Sequence, residues 1–446
     1  MSLQTSALQA LHHRRDRLAQ LYPEPVVLWS GQAVSRNFPA NVYPFRANSH
    51  FLYFAGLPLA RAAIRLDGGK LTLFMDDTSP DAALWHGPTP ARDQIAAAIG
   101  ATAAYPYQHL TAYLPDATTL PAQAGLASGL GLEPHPGPGL VEALVTLRLH
   151  HDDVALAEIK RAAAVSVAAH RAGMAATAGA ETEAQVRAAM EQVIMAQNMT
   201  CAYNSIVTVH GEVLHNEQYH HRLTPGDLLL ADVGAEAPSG WASDITRTWP
   251  VSGRFTSAQR DIYDVVLAAH DACIAAAKPG VEYRDLHLLA CHTLATGWVD
   301  LGLLKGRPES LVERDIHALF FPHGVGHLLG LDVHDMEDLG DAAGYGPGRQ
   351  RSDRFGLKFL RLDRPLAANM VVTIEPGFYQ VPAILDPARQ SGQVDDAVNW
   401  ERLEDFRAVR GIRIEDDVQI TATGCTVLTE ALPTAPEALE ALVTGP

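Results

Sequence analysis

Hydrophobic and polar positions follow two different periods in the first part of the chain. Residues 6–20 repeat apolar side chains at helical spacing, and short apolar runs follow at residues 26–29 and 71–74 between Gly, Pro and Asn turns. Helical spacing predicts an amphipathic helix, whereas short apolar runs bounded by turn residues predict strands. The N-terminal part is therefore expected to mix helices and strands.

Longer helices are predicted in the second part of the chain. The Ala-rich stretch 152–177 begins with Asp and is followed by Gly179, which are helix start and stop signals. Further helices are predicted at residues 181–197, 257–277 and 283–301, and strands at residues 205–209, 228–234, 370–375 and 412–420. Strands that form separate groups between pairs of helices are typical of the α+β class, which we predict here.

A segment crowded with Pro and Gly, residues 121–139, separates the two parts. This composition is typical of a domain boundary. The chain has 446 residues, which is more than one ordinary domain contains. We therefore predict a smaller α/β domain at residues 1–150 and a larger second domain at residues 151–446.

Charge and cysteine content limit the classes of partner. The formal net charge of -17 and the lack of a long basic run argue against a nucleic-acid partner. The four cysteines are widely spaced and form no C-x-x-C pair, which is typical of free thiols in a reducing compartment. No apolar run reaches the length of a membrane span. We predict a cytoplasmic protein without membrane contact.

Four carboxylates lie within or beside apolar strand patterns. They are Asp232, Asp244, Glu375 and Glu415. Each one alone could be a strand-end residue in water, and for Asp232 that interpretation is at least as good as a functional one. Together they need an explanation, because buried like charges are costly without a neutralising partner. A pair of divalent cations is the simplest neutraliser, and it would also account for part of the acidity.

Three histidines add to this pattern. His323, His327 and His334 lie in a glycine-rich segment, where glycines let the backbone approach a site closely. Four carboxylates and one histidine would form an oxygen-rich ligand set, which suits Mn²⁺ foremost, with Zn²⁺, Co²⁺ or Fe²⁺ as alternatives. Two such ions about 3.5–4 Å apart can hold a bridging hydroxide and polarise a carbonyl group.

Five segments of the second part resemble, in order and spacing, the signature segments of the pita-bread metallopeptidases. They are LLADVGAE, ASDITRTW, PHGVGHLLGLDVHD, VVTIEPGFY and GIRIEDDV. The resemblance covers residues 155–440 and is strongest to the prolidase and aminopeptidase P branch. The N-terminal segment YPFRANSHFLYFAGLP is similar to the small creatinase-like α/β domain of that branch. The resemblance implies a C-terminal pita-bread catalytic domain and, as a family expectation, a homodimer.

The resemblance also implies roles for the predicted ligands. Asp232 would bind one metal ion, whereas Asp244 and Glu415 would bridge two ions. His327 and Glu375 would complete the second ion. Glu375 would additionally take the proton from the attacking water as general base. Because all five ligands are present, the resemblance implies an active metalloenzyme rather than a metal-free binding or scaffold homologue.

Other residues would form the substrate pocket. The resemblance places His323 and His334 where they would hydrogen-bond the substrate and the tetrahedral intermediate. His215 would contact the substrate, with His210 as a nearby competitor. Arg413 would orient the metal-binding carboxylates.

Two activities are compatible with this resemblance. Arg361 aligns with an arginine that would hold the C-terminal carboxylate of a dipeptide, although Arg364 could take that role. Tyr379 would point towards the site, unless it is simply a packed strand aromatic. The long insertion between Glu375 and Glu415 resembles prolidases more than aminopeptidases P. We therefore predict an Xaa-Pro dipeptidase acting on proline-containing dipeptides, with an Xaa-Pro aminopeptidase acting on longer peptides as the alternative.

Overall fold

The computed structural model describes residues 3–120, 123, 135–136 and 139–445. The chain divides into two compact units, Met1–Leu156 and Ala157–Pro446. We call them the N-terminal and the C-terminal unit. The predicted boundary at residue 150 lies a few residues before this division. Most of the Pro- and Gly-rich segment 121–139 lies outside the described residues.

The N-terminal unit is built around a six-stranded sheet with the strand order β4-β3-β2-β1-β5-β6. Its elements are α1 (Thr5–Leu21), β1 (Val26–Gly31), α2 (Ser49–Ala55), β2 (Ala62–Asp67), β3 (Lys70–Phe74), α3 (Pro80–His86), α4 (Arg92–Ala98), β4 (Ala103–Tyr105), a 3-10 helix (Tyr107–Tyr113), β5 (Thr118–Thr119), β6 (His135–Pro136) and α5 (Leu140–Arg148). Val27, Trp29 and Phe74 pack in its core, because the apolar positions of the strands face the same side. The helix and strands predicted in this part are present.

The short basic stretch in α1 does not form a surface patch for a polyanion. Arg14 and Arg15 are buried, at 6% and 2% exposure. The Arg14 guanidinium donates two hydrogen bonds to Asp152, at 2.7 and 2.9 Å. Arg15 donates to the backbone carbonyls of Phe54 and Ile99, each at 2.7 Å. These arginines therefore connect elements inside the unit.

From residue 153 onwards, helices alternate with small groups of strands. The elements are α6 (Asp153–Thr177), α7 (Glu183–Ala196), β7 (Thr200–Cys201), β8 (Ile206–Thr208), β9 (Leu228–Asp232), β10 (Ala235–Glu236), β11 (Thr246–Pro250), α8 (Ser257–Ala276), α9 (Tyr283–Asp300), α10 (Pro308–Glu313), a 3-10 helix (Ile316–Leu319), a 3-10 helix (Glu337–Leu339), α11 (Asp341–Gly344), β12 (Val371–Ile374), β13 (Gly377–Tyr379), α12 (Pro382–Ser391), α13 (Trp400–Glu404), β14 (Gly411–Arg413), β15 (Asp416–Ile420), β16 (Cys425–Val427) and α14 (Pro436–Thr444). The predicted α+β class is confirmed.

Strand pairing in the C-terminal unit aligns predicted site residues on neighbouring strands. The order is β11-β9-β8 in one sheet and β12-β15-β16 in another, and β13 pairs with β14. Thr246 lies opposite Asp232 in the β11–β9 register, and an isolated bridge joins Thr246 to Glu415. Strand register therefore brings Asp232 and Glu415, which are far apart in sequence, next to the same residue, Thr246.

The predicted strand 412–420 is interrupted in the structure. Its first part is β14, which pairs with β13, and its second part is β15, which pairs with β12. Glu415 lies between the two strands, and its backbone N–H donates to the Thr246 carbonyl at 3.0 Å. The sequence pattern missed this break because the apolar alternation runs through it. Among the described residues, none of the helices combines the length and apolar character required to span a membrane.

Candidate metal centre

A cavity of about 600 Å³ lies in the C-terminal unit. All the residues that the sequence predicts for the site line this cavity, with the exception of Tyr379. They are His215, Asp232, Asp244, His323, His327, His334, Arg361, Glu375, Arg413 and Glu415. Tyr379 lies directly behind the wall, where its hydroxyl contacts His323 and Arg413. The two competitors that the sequence left open, His210 and Arg364, do not line this cavity.

Three of the predicted ligands form the centre of the cluster. Each of Asp244, His327 and Glu415 offers one ligand atom, and these atoms lie within 4.8 Å of one another. His327 Nε2 lies 3.4 Å from Asp244 Oδ2 and 3.6 Å from Glu375 Oε1. Glu375 is held there by its backbone N–H, which donates to the Val325 carbonyl at 2.8 Å.

The orientation of His327 is the one expected for a metal ligand. Its Nδ1 lies 3.0 Å from the backbone carbonyl of Leu328. A carbonyl can only accept, so Nδ1 carries a proton, and in a metal-binding ring the lone pair would be on Nε2. That lone pair faces the oxygens of Asp244 and Glu375, which also carry only lone pairs when ionised. A cation between these atoms would complete the arrangement, and histidine ligands are typically held by such a backbone hydrogen bond.

Asp232 lies at the edge of the cluster, where protein donors already contact it. Arg413 Nη2 donates to its Oδ2 at 2.5 Å. The Tyr203 hydroxyl lies 2.5 Å from Asp232 Oδ1 and also 2.5 Å from Asp244 Oδ1. Asp232 and Asp244 are thus bridged by one phenol group, and Asp232 retains its remaining lone pairs for a ligand.

The carboxylates resist ionisation in the absence of a cation. Burial, together with the charge of Asp232, raises the pKa of Asp244 to about 8. Burial also raises the pKa of Glu375 to about 7, although His327 and Arg413 act in the opposite direction. Burial and the charges of Asp244 and Glu375 raise the pKa of Glu415 well above its ordinary value. A divalent cation would remove this penalty, so the residues present fit a metal site rich in oxygen ligands.

His323 belongs to a chain of hydrogen bonds behind the carboxylates. Its Nδ1 lies 2.8 Å from the Gly324 carbonyl and its Nε2 lies 2.8 Å from the Tyr379 hydroxyl. Arg413 Nη1 donates to the same hydroxyl at 3.1 Å. The phenol therefore donates to Nε2, and both nitrogens of His323 are occupied. Burial lowers the pKa of His323 to about 3, so the ring is neutral at physiological pH.

The cavity rim carries His334, His215 and Arg361. The rings of His334 and His327 are in contact, with centroids 4.3 Å apart. Burial, together with nearby Arg413, lowers the pKa of His215. The Arg361 guanidinium already has a partner, because its Nη1 lies 2.8 and 2.7 Å from the two carboxylate oxygens of Glu337. A substrate carboxylate would have to compete with this ion pair.

Several contributing residues were not predicted. Tyr203 bridges two carboxylates, and Asp417 accepts hydrogen bonds from the Ser243 hydroxyl at 2.7 Å and the Asp244 N–H at 3.1 Å. Arg351 and Phe359 line the cavity. Tyr203 lies outside every segment that resembles a metallopeptidase signature, so no local signal identified it. Asp417 lies in the GIRIEDDV segment, but the segment does not indicate which of its carboxylates face the cavity.

The two units match different family models. The model described as "Metallopeptidase family M24" matches residues 157–422, and the model described as "Aminopeptidase P, N-terminal domain" matches residues 11–124. A relative from Pyrenophora tritici-repentis, named "Probable Xaa-Pro aminopeptidase", is 33% identical over 403 residues, which cover 86% of this chain and 84% of the relative. This name corresponds to the Xaa-Pro aminopeptidase activity, which the sequence predicts as the alternative to the dipeptidase.

Solved structures agree with this grouping. An aminopeptidase from Pseudomonas aeruginosa has a TM-score of 0.83 at 28% identity, with coverage of 99% of this chain and 98% of that chain. Proline aminopeptidase P II from Yersinia pestis has a TM-score of 0.82 at 30% identity, with coverage of 98% and 99%. Since the M24 model matches more than half of the residues, the chain belongs to metallopeptidase family M24, the pita-bread metallopeptidases that its sequence segments resemble.

Proposed function

We propose that this chain is a metal-dependent Xaa-Pro aminopeptidase, which removes the N-terminal residue from peptides with proline in second position. The convergence of Asp244, His327 and Glu415 beside Glu375 in one cavity carries this proposal. The names of the relatives support the choice of substrate, because they refer to aminopeptidases. We further propose that the chemistry belongs to the predicted domain at residues 151–446, since all the candidate ligands lie there.

We propose two divalent ions per chain, Mn²⁺ foremost, with Asp232, Asp244, His327, Glu375 and Glu415 as ligands. When bound, such ions would supply an activated water and would polarise the scissile carbonyl group. The ligand set supports an oxygen-preferring ion, because four of its five members are carboxylates. Metal analysis of the purified chain tests the proposed number of two ions. A chain with neither bound metal nor peptidase activity would indicate a scaffold homologue instead.

Side chains that line or support the cavity would act as general base, position the ligands and contact the peptide. Glu375 would accept the proton of the attacking water. Arg413 and Tyr203 would hold Asp232 in position. His323 would donate to the substrate only after one of its present hydrogen bonds, to Gly324 or to Tyr379, is exchanged. His334 and His215, on the cavity wall, would contact the peptide.

The dipeptidase activity is the competing proposal. It needs a cation that holds the carboxylate of the substrate's proline, and Arg361 lies on the cavity wall as predicted. However, Glu337 already pairs with Arg361, which weakens its suitability for that role. We therefore rank the aminopeptidase activity above the dipeptidase activity.

The test compares substrates of matched sequence. The chain is treated with a chelator, reloaded with Mn²⁺, and assayed with an Xaa-Pro-Yaa tripeptide, the Xaa-Pro dipeptide and an Xaa-Ala-Yaa control. We expect the tripeptide to be cleaved fastest after its first residue, and the alanine control to be cleaved slowly. Faster cleavage of the dipeptide would favour the dipeptidase, and no cleavage of either proline substrate would reject both proposals.

A further inference from the structure

A second cluster of potential ligands lies in the C-terminal unit, outside the cavity. His287 and Cys291 are one turn apart on α9, and His317 lies on the 3-10 helix Ile316–Leu319. All three are buried, with exposures of 0%, 0% and 1%. Each offers one ligand atom, and these three atoms lie within 4.8 Å of one another. The proposed peptidase activity assigns no task to any of them.

His317 is a polar side chain without its expected partners. Within the described part of the chain, neither of its ring nitrogens makes a hydrogen bond of normal geometry. Buried polar atoms are nearly always paired, because leaving one unpaired costs free energy. A neutral imidazole carries its lone pair on one nitrogen and a proton on the other. A cation bound to the lone-pair nitrogen would satisfy one of these two atoms, so the unpaired ring points to a metal ion as its partner.

A backbone hydrogen bond fixes the tautomer of His287 beside the cluster. Its Nε2 lies 2.9 Å from the backbone carbonyl of Gly356. The carbonyl accepts, so Nε2 carries the proton and Nδ1 of the neutral ring carries the lone pair. The sulfur of Cys291 lies 3.9 Å from Nδ1 and 3.5 Å from Nε2. As in His327 of the candidate metal centre, a backbone carbonyl fixes the tautomer of the ring, and a small rotation of the Cys291 side chain would place its sulfur on the Nδ1 side.

The ligand chemistry of this cluster differs from that of the candidate metal centre. Two imidazoles and one thiol form a nitrogen and sulfur set, which selects zinc and other thiophilic transition ions. Ligand atoms around one zinc ion are about 3.3–3.7 Å apart, so binding needs only a small contraction of the cluster.

We propose that His287, Cys291 and His317 bind a zinc-class ion at a site separate from the candidate metal centre. The ion would join α9 to the 3-10 helix that precedes His323. Phe321 packs against the rings of both His287 and His323, with centroids 5.8 and 4.8 Å away, so a fixed cluster would stiffen the wall behind the cavity. Burial away from the substrate favours a structural role, for which a fourth donor would complete the coordination.

Cobalt is the probe that separates the two sites. A thiolate bound to Co²⁺ gives an intense near-ultraviolet charge-transfer band, which oxygen and nitrogen ligands do not give. Only the proposed site contains sulfur, so the band reports this site whether or not the chain is a peptidase. We expect the chelated full chain to develop the band with added Co²⁺ and to lose it when Zn²⁺ is added in excess.

Variants of Cys291 and His317 assign the band to the proposed site. Cys291→Ser and His317→Gln should abolish it, whereas Cys273→Ser, which changes another buried cysteine, should retain it. A wild-type chain without the band would overturn the proposal without any variant. Retention of the band in Cys291→Ser, or its loss only in Cys273→Ser, would overturn it as well. If a variant does not fold, the wild-type titration with Co²⁺ and the Zn²⁺ competition still decide the outcome.

Discussion

Glu415 and Asp416 are consecutive in the chain and equally buried, at 2% exposure each, but they are neutralised differently. Arg247 Nη2 contacts Asp416 Oδ1 at 2.8 Å, and the Thr429 hydroxyl donates to the same oxygen at 2.5 Å. Burial alone would raise the pKa of Asp416, but Arg247 holds it well below its ordinary range. Glu415 instead lies among Asp244, Glu375 and Asp232, and its pKa is raised.

The two carboxylates therefore have different roles. The charge of Asp416 stabilises the fold, whereas the charge of Glu415 is available to bind a cation. Successive side chains leave an extended backbone on opposite sides, so Asp416 reaches a cation of its own chain while Glu415 reaches other carboxylates. The first arrangement is complete and stabilises the packing of β11 against β15. The second is incomplete and has to take its cation from solution. We expect changes at the first to reduce stability and changes at the second to reduce activity.

The largest effect is expected for Glu375→Gln. The substitution keeps the size of the side chain but removes the proposed general base, so turnover of the tripeptide should fall about 10²- to 10⁴-fold. Initial rates at saturating substrate and Mn²⁺ measure this loss. Glu404→Gln, which changes an exposed carboxylate paired with Arg389, is the matched control and should keep wild-type turnover. Turnover within about threefold of wild type would remove Glu375 from the proposed mechanism.

The second largest effect is expected for Arg247, the buried partner of Asp416. Arg247→Met would remove the guanidinium from buried Asp416 and leave only His270, whose Nε2 lies 3.0 Å from Asp416 Oδ2, as a basic partner. This change is expected to lower the free energy of unfolding by about 3–5 kcal/mol. Urea denaturation followed by circular dichroism measures it. Arg389→Met breaks an exposed ion pair and should cost no more than about 1 kcal/mol. Equal losses in the two variants would contradict the distinction between the two carboxylates.

A third prediction concerns pH and metal affinity. Because the pKa values of Asp244 and Glu375 are raised to about 8 and about 7, both groups are protonated below these values and must release protons to bind a cation. Affinity should therefore decrease as pH falls from 8 to 6, by up to about tenfold per pH unit for each proton displaced. Calorimetric titration of chelated protein with Mn²⁺, in buffers of different ionisation heat, counts the protons. An affinity that is independent of pH would show that the carboxylates are already ionised.

The smallest effect is expected for Arg361→Ala. This guanidinium is 37% exposed and paired with Glu337, so its removal should change KM for the tripeptide by less than about fivefold, equivalent to under about 1 kcal/mol. Metal content should remain unchanged. KM for the dipeptide, measured in parallel, distinguishes the aminopeptidase proposal from the dipeptidase proposal. A loss confined to the dipeptide would revive the carboxylate-binding role and the dipeptidase proposal.

The periodic part of the fold was predictable and its interruptions were not. Helices such as α6 and α8 agree with the predicted ranges 152–177 and 257–277 within a residue or so, because apolar spacing and end signals are local properties. The single strand predicted at 412–420 is two strands, because its halves pair with different partners. No local pattern contains that information.

The donor types, their order along the chain and the family followed from the amino-acid sequence, because these depend on residue identity and local spacing. The three-dimensional fold determined which side chains share a cavity and which buried charge meets a cation of its own chain. It brought Tyr203 onto Asp232 and Asp244, paired Arg247 with Asp416, and placed one nitrogen of His317 within 4.8 Å of the Cys291 sulfur. Electrostatic and ligand interactions act over a few ångströms in space, and backbone register, rather than distance along the sequence, sets those separations.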